Sequence, residues 1–478
     1  MVLCVPALAR AQPATGETTP PAPPIAPVAP IEPIPPADPT PPQAVPPPVD
    51  VREPAVAAGV PPVDSDNGSV IDDDYPLDGE KHKKPKGIIN YKPGRYIEFR
   101  ASKQTRVRLR LTVQPLARYT NVSTLPDAQI DTLIRRARFG FHVKLSETTG
   151  LKWELQVKNM HLGLSNLYGE WAPGKRLQLV AGFIKAPGGL ERDTYSFDEP
   201  FIERSVLAFF TYDHEMGVKL SGWTPHHEQF WAAALTRNAP FGVDGGDPED
   251  KPLYPANVEP DDITRSSSKF NSAGRVGIAP SDAIEASVNV GGRFRLDDKE
   301  PDYGDRVAEP YDSSFVAARA WTGAMIHASA DVALSQPHWR LMAEGGVRRD
   351  GQQLSVDLAT GALTKLNGHM NAEMGYLVFG WTPNGHYGPA IENAALKDGW
   401  ELVVRVEGAR VKPVDISRPI TFVGVTTGFH YEVSPQLRLQ ADFGFQRYSS
   451  NAENTNVATA LDSNSKRYLA QLWATWRL

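Results

Sequence analysis

The sequence predicts an all-β protein: a transmembrane, antiparallel up-and-down β-barrel of about 16 strands behind a disordered, proline-rich N-terminal segment. Three observations support this class. Apolar and polar residues alternate with a period of two from residue 95 onward, connections alternate between short and long, and tryptophans collect beside the short ones. No run approaches the ~18 consecutive apolar residues of a membrane helix. A barrel, by contrast, faces half of its strand residues to a polar lumen and keeps a near-soluble composition.

The N-terminal residues lack the composition and the hydrophobic pattern of a packed domain. We interpret residues 1–11 as the remnant of a signal peptide, with small residues at a cleavage site and a charged leading region expected upstream. Residues 12–94 are predicted to be a disordered periplasmic linker. Within them, residues 12–64 hold 19 of the 43 prolines, which favours an extended spacer that either tethers or contacts another envelope component. The single cysteine, Cys4, excludes a disulfide framework.

Residues 95–478 are predicted to form the barrel. In the first clear strand, Val107, Leu109 and Leu111 alternate with Arg106, Arg108 and Arg110, which places aliphatic side chains on one face and arginines on the other. The next two segments repeat the alternation on either side of a short turn at 146–150, as in a hairpin. Thirteen further strand-like segments bring the expected number to sixteen, and an even number suits a closed bacterial barrel.

The connections predict the orientation of the strands. Short turns are expected on the periplasmic side and long polar loops outside. Tryptophans such as Trp171, Trp339 and Trp381 lie beside connections assigned to the periplasmic side, where an aromatic girdle meets lipid head groups. One connection, at 382–399, is long on the side where short turns are expected, and the sequence pattern offers no reason for its length.

Positive charge is concentrated in the first strands. Residues 95–158 contain thirteen Lys or Arg against five Asp or Glu, although the whole chain has a net charge of −6. The arginines could simply balance acidic residues across a wide barrel. Alternatively they form a path for anions, because guanidinium stays protonated, matches phosphate oxygens with its fork of donors and dehydrates more readily than ammonium.

Four runs of the sequence carry a family resemblance. They are RRARFGF at 135–141, LYGEW at 167–171, AGFIKAPGGLER at 181–192 and FIERS at 201–205. Together they resemble the phosphate-selective porins O and P, with the most specific similarity between residues 133 and 222. The resemblance implies a protein of the bacterial outer membrane, a usually trimeric sixteen-stranded barrel, a third outer loop folded inward and a ladder of arginines in the lumen.

The resemblance also implies a set of pore-lining residues. The loop at 186–213 corresponds by position to the constriction and would carry two arginines toward the pore axis. The anion-binding residues expected along the lumen are Arg106, Arg108, Arg110, Arg135, Arg136, Arg138, Lys144, Lys185, Arg192 and Arg204. Arginines are fewer on this loop than in some members of the family, which favours a general anion preference over strict phosphate selectivity.

The sequence therefore predicts a porin for passive diffusion of small anions, phosphate or related ions, with a general-diffusion or sugar porin as the alternative. Expected partners are these anions, outer-membrane lipid and lipopolysaccharide, and two further copies in a homotrimer; no nucleic acid is expected. An enzyme is disfavoured because the hydrolase elbow, the phosphate-binding glycine loop and the zinc-helix motif are missing. No cofactor is expected, and His226 and His227 diverge on a predicted turn, which argues against a metal site. A soluble β-rich adhesin is the remaining alternative.

Overall fold

The structure is a computed structural model of the chain. It describes residues 89–92, 94–102, 104–122, 128–158, 161–174, 176–194, 199–201, 204–207, 214–224, 229–237, 269–295, 319–356, 363–390, 394–412, 419–449 and 466–478. The expected signal remnant, nearly all of the expected linker and the pair His226 and His227 lie outside these residues. No helix within the described ranges is long and apolar enough to cross a membrane.

Eighteen strands and one helical turn make up the described chain. The first nine strands are β1 Ile89–Lys92, β2 Tyr96–Arg100, β3 Arg106–Val122, β4 Gln129–Lys144, β5 Thr149–Lys158, β6 His161–Gly174, β7 Leu177–Lys185, β8 His214–Trp223 and β9 Gln229–Arg237. The others are β10 Lys269–Ser281, β11 Ile284–Arg295, β12 Arg319–Gln336, β13 Trp339–Val356, β14 Leu363–Trp381, β15 Gly399–Lys412, β16 Ile420–Ser434, β17 Leu437–Ser449 and β18 Lys466–Arg477. The helical turn α1 is Leu190–Asp193.

Strands β3 to β18 close a sixteen-stranded barrel. Each strand pairs antiparallel with the next along the chain, and β18 returns to pair with β3, from Val122 opposite Arg467 to Thr112 opposite Arg477. Closure removes the unpaired edges that an open sheet would expose. The predicted fold class and strand number are confirmed.

The barrel inverts the usual distribution of polarity. Charged side chains facing inward are buried, as for Arg405 at 2% exposure, whereas apolar side chains facing outward are exposed, as for Leu472 at 63%. Such alternation along every strand suits a wall with hydrocarbon outside and a polar lumen inside. Exposed Trp171 and Trp339 lie beside short turns, and exposed Trp381 lies beside the long β14–β15 connection at the same end, as the girdle interpretation predicts.

The hairpin β1–β2 adds a small extension to the barrel wall. Strand β2 pairs with β3 from Ile97 opposite Leu109 to Arg100 opposite Arg106, directly below the part of β3 that pairs with β18. Its turn fits closely against the β16–β17 turn: Gly94 has φ of 72°, and a Cβ there would lie 2.0 Å from the carbonyl oxygen of Pro435. Strand β1 thus falls within residues that the sequence assigned to the linker.

The contacts made by the long connection between β14 and β15 account for its length. Its residues fold against the inner wall at the short-turn end instead of extending away from it. The hydroxyl of Tyr387 donates to Glu401 at 2.9 Å, Arg340 Nη1 donates to the carbonyl of Ala394 at 3.1 Å, and Ser335 Oγ donates to the carbonyl of Gly388 at 2.6 Å. This turn is therefore a second element packed inside the barrel.

Candidate functional site: the cationic wall and the third loop

One sector of the inner wall is strongly positive. Strand alternation brings inward the basic residues of β3, β4 and β5 between the bulge at Arg135 and the short turn after β4. We call this set the cationic wall; it consists of Arg106, Arg108, Arg110, Arg136, Arg138, Lys144 and Lys152. Among the described inward positions of this sector on the three strands, Glu154 is the one carboxylate.

The register sets the spacing of these cations. Arg106 is opposite Lys144, and Arg110 is opposite Gly140. Because successive inward residues on a strand are about 6.6 Å apart and neighbouring strands about 4.8 Å apart, the charges form a two-dimensional array.

A β-bulge brings an additional arginine to the inner wall. The β3–β4 register shifts where Pro115 follows Gln114, so that Arg136 is opposite Gln114, Ile134 is opposite Pro115, and Arg135 has no Cα partner. Proline offers no N–H to the ladder, which is a physical reason for the irregularity. As a result, the consecutive residues Arg135 and Arg136 are both buried.

Some of the predicted cations have close counter-charges. Arg108 Nε donates to Glu98 Oε2 at 2.8 Å, and its guanidinium lies 4.6 Å from the ring centroid of Tyr96. Arg138 Nε donates to Gln156 Oε1 at 2.6 Å, with Nη1 3.8 Å from Glu154. The sector therefore keeps a net positive charge that is smaller than its arginine content suggests.

The remaining predicted residues lie at or beyond the end of β7. Lys185 is buried where the chain leaves the wall. Arg192 belongs to α1, and its side chain lies outside the described part of the structure. Arg204 Nε donates to Glu199 Oε1 at 2.6 Å. Of the ten predicted residues, six belong to the cationic wall and Arg135 adjoins it, whereas Arg192 and Arg204 belong to the loop.

The connection between β7 and β8, which we call the third loop (residues 186–213), contacts inward-facing side chains of the opposite wall. Asp193 Oδ2 accepts from Arg275 Nη1 at 2.7 Å, the amide of Val206 donates to Glu407 at 2.7 Å, and the amide of Glu191 donates to Glu344 at 3.3 Å. The described part of the loop is thus fixed to β10, β13 and β15 by side chains that the barrel itself supplies.

Glu191 organises the loop internally. Its carboxylate accepts hydrogen bonds from the amide and the hydroxyl of Ser205, and Arg405 Nη1 lies 3.7 Å away. Burial raises the pKa of Glu191, while Arg405 acts in the opposite direction. The amide of Ser205 in the loop and Arg405 on β15 therefore both stabilise the charged form of the Glu191 carboxylate.

An aromatic side chain also holds the third loop against the barrel wall. Phe201 is 2% exposed, with the guanidinium of Arg405 4.8 Å from its ring centroid and His430 edge-on at 6.0 Å. His430 is itself held between Glu401 Oε1 at 2.9 Å and Asp442 Oδ1 at 3.0 Å. Both ring nitrogens of His430 therefore face carboxylates of the neighbouring strands β15 and β17.

Sequence reasoning missed several of these residues. Lys152 belonged to the polar face of a predicted strand and could have been included by alternation alone. Glu98 was missed because the hairpin that carries it was not recognised, although Tyr96, Glu98 and Arg100 already alternate with period two. Arg275 and Arg405 carried no local signal, since their role depends on contacts with a distant loop.

The sequence comparison agrees with this architecture. Residues 107–252, which include β3 to β9, match the family model of phosphate-selective porin O and P. The matched segment belongs to that porin family. The family expected from the resemblance is confirmed, and the porin resides in the bacterial outer membrane. No curated protein matches the sequence.

Solved structures resemble the porin in fold. Salmonella typhi OmpF in complex with daunomycin aligns with a TM-score of 0.52 at 10% identity, covering 80% of this chain and 100% of that chain. The anion-selective porin from Comamonas acidovorans aligns with a TM-score of 0.48 at 9% identity, covering 78% of this chain and 100% of that chain. At 10% identity the likeness to OmpF concerns the fold alone.

Proposed function

We propose that this porin passes small anions by passive diffusion, phosphate or related anions among them, through an arginine-lined lumen that the inward-folded third loop constricts. The observation that carries the proposal is the cationic wall, where the described inward positions of three adjacent strands, between the bulge at Arg135 and the short turn after β4, hold seven Lys or Arg and one carboxylate. A wall of one sign raises the local concentration of counter-ions. Closely spaced sites of moderate affinity also allow each anion to leave for the next one.

The loop supports the proposal by dividing the lumen. Its described residues are fixed to β10, β13 and β15, where arginines such as Arg275 and Arg405 are engaged with carboxylates. Space that the loop leaves open would then be bordered mainly by the cationic wall. The permeating ion would therefore meet the guanidinium and ammonium groups of the cationic wall.

A general-diffusion or sugar porin is the second candidate. It is favoured by the ion pairs on the loop-binding side, where Arg340 contacts Glu401 at 2.8 Å and Arg348 contacts Asp350 at 2.8 Å. If comparable pairing cancels the field of the cationic wall, the lumen would sort solutes by size alone. We further propose, from the family resemblance, a homotrimer surrounded by lipid and lipopolysaccharide, which cross-linking in native outer membranes would test.

The zero-current potential of the purified porin in a planar bilayer under a potassium chloride gradient tests the proposal. We expect an anion-selective potential that moves toward zero in Arg136→Ala and Arg138→Ala. At ~8 Å in water one charge contributes ~0.5 kcal/mol, so each substitution should lower the local anion concentration about twofold.

Arg410→Ala is the matched control, since Arg410 is exposed on β15 and pairs with Glu373 at 3.6 Å outside the lumen. It should leave the potential unchanged. Cation preference in the wild type, or equal effects of all three substitutions, would disprove an arginine-dependent anion path and leave the general-diffusion porin.

A further inference from the structure

Glu199 of the third loop occupies an unusual position opposite the cationic wall. The residue is buried, with 2% of its surface exposed. Its Oε1 accepts a hydrogen bond from Arg204 Nε at 2.6 Å, and its Oε2 lies 3.8 Å from Arg136 Nη1 on β4. The carboxylate therefore lies between an arginine of the loop and an arginine of the wall.

The other described carboxylates of the loop face elsewhere. Asp193 is bound to Arg275 on β10, and Glu191 is occupied by Ser205 and Arg405. These contacts hold the loop to the far side of the barrel. Among the three loop carboxylates within the described residues, Glu199 is the one whose charge is directed to the cationic wall.

The two oxygens of Glu199 are not equivalent. Oε2 is buried and accepts no hydrogen bond from any residue that the structure describes. Charge-assisted N–H···O hydrogen bonds are about 2.7–2.9 Å long, so the 3.8 Å approach to Arg136 is electrostatic and lacks a hydrogen bond. A mobile anion that offers its oxygens to Arg136 at hydrogen-bond distance would make the better contact.

We propose that Glu199 is a specificity-determining residue of the pore. Its fixed carboxylate competes with permeating anions for Arg136, which lowers their affinity at this position and speeds their release toward the next cation. The inference rests on the proposed anion conduction and deepens it by naming the residue that sets the balance between binding and release. A site with strong affinity and no competitor would hold its anion and limit the current.

Single-channel conductance measured against potassium chloride concentration tests this role. In Glu199→Gln we expect the half-saturating concentration to fall about fivefold, the size of a partly screened charge contact, and the maximal conductance to fall with it. Glu199→Asp keeps the charge and should stay close to the wild type. The same Glu199→Gln change in an Arg136→Ala background should have little effect, because the competition needs Arg136.

Glu373→Gln is the matched control, since it removes an exposed carboxylate outside the lumen. An unchanged half-saturating concentration in Glu199→Gln, an equal shift in Glu373→Gln, or a full shift without Arg136 would each overturn the proposal. If Glu199→Gln does not assemble, Glu199→Asp provides the comparison. A large change in the half-saturating concentration of Glu199→Asp would likewise contradict the proposal, because this variant keeps the charge. Failure of anion conduction itself would appear separately, as cation preference in the wild-type potential.

Discussion

Arg108 illustrates how a lumenal arginine is stabilised by its surroundings. The side chain is 1% exposed, stacked on Tyr96 and bound to Glu98. Glu98 also accepts from Arg100 Nε at 2.6 Å, so one carboxylate serves two guanidinium groups. Glu98 thereby partly neutralises the positive charge of Arg108 and helps to hold the β1–β2 hairpin to β3. The contribution of Arg108 to the electric field in the lumen is reduced accordingly.

Removing the carboxylate of this pair should destabilise the barrel. Breaking a buried ion pair on one side costs about 3–5 kcal/mol, because a charge stays behind without its compensation. We expect Glu98→Gln to lower the temperature at which the folded band disappears in heat-modifiable gel electrophoresis. The double variant Glu98→Gln with Arg108→Met should recover much of the loss; a double variant as unstable as the single one would contradict the role of the ion pair.

Gly189 sets the path of the third loop at the element scale. Its φ is 107°, a left-handed conformation that residues with a Cβ rarely adopt, and an added Cβ would lie 1.9 Å from Glu344 Oε1. The amide of the neighbouring helical turn α1 contacts the same carboxylate. Close approach of backbone to β13 therefore depends on a glycine at this position.

We expect Gly189→Ala to displace the third loop from β13. The strain and the clash act together, so single-channel recordings should show heterogeneous conductance levels in place of one. Gly169→Ala is the control, since a Cβ at Gly169 on β6 would meet no atom within 4 Å. Uniform wild-type conductance in Gly189→Ala would show that the loop does not depend on this contact.

The turn between β14 and β15 offers a second test at this scale. Burial raises the pKa of Tyr387, so its hydroxyl remains a donor to Glu401 throughout the usual pH range. Tyr387→Phe removes that hydrogen bond and should cost about 1 kcal/mol, because Glu401 keeps Arg340 and His430 as partners. The same gel assay measures the change, and a loss as large as in Glu98→Gln would contradict this estimate.

Strands and inward-folded elements differ in how far the sequence predicts them. The strands of the barrel follow from period-two alternation, which is a local property, although β3, β4, β13 and β14 extend further than the predicted segments. The third loop is fixed by distant partners, as when Val206 binds a carboxylate 201 residues away at Glu407. No local pattern encodes such a contact, so only the family resemblance indicated an inward fold, and the sequence pattern did not explain the length of the connection at 382–399.

At the scale of the whole molecule, the sequence predicted a positive face inside the barrel but not how far carboxylates neutralise it. An excess of arginine in the first strands and a period of two are enough to place a positive face inside a barrel. The degree of neutralisation could not be predicted, because it depends on Glu98 from an unrecognised hairpin and on Glu199 from a loop that crosses the lumen. Both residues look like ordinary surface carboxylates in the sequence.

The barrel should fold and conduct without residues 1–88. The hairpin begins at Ile89 and the closed wall at Arg106, and pairing of β18 with β3 closes the ring from residues after position 88 alone. We expect a chain that starts at residue 89, exported with a suitable signal, to keep both its heat-modifiable mobility and its single-channel conductance. Loss of either would assign the N-terminal segment a part in assembly or permeation.

The pairing of β18 with β3 has a consequence for biosynthesis. Gln114 donates to Thr475 across this seam, and 361 residues separate the two positions along the chain. A polypeptide secreted from its N-terminus exports β3 early and must wait for β18 before the ring can close, which makes closure slow and non-local. During that interval the open strand edges are exposed to aggregation and proteases. The unpaired edges of β3 and its neighbours therefore disappear only when β18, the last strand of the chain, joins β3.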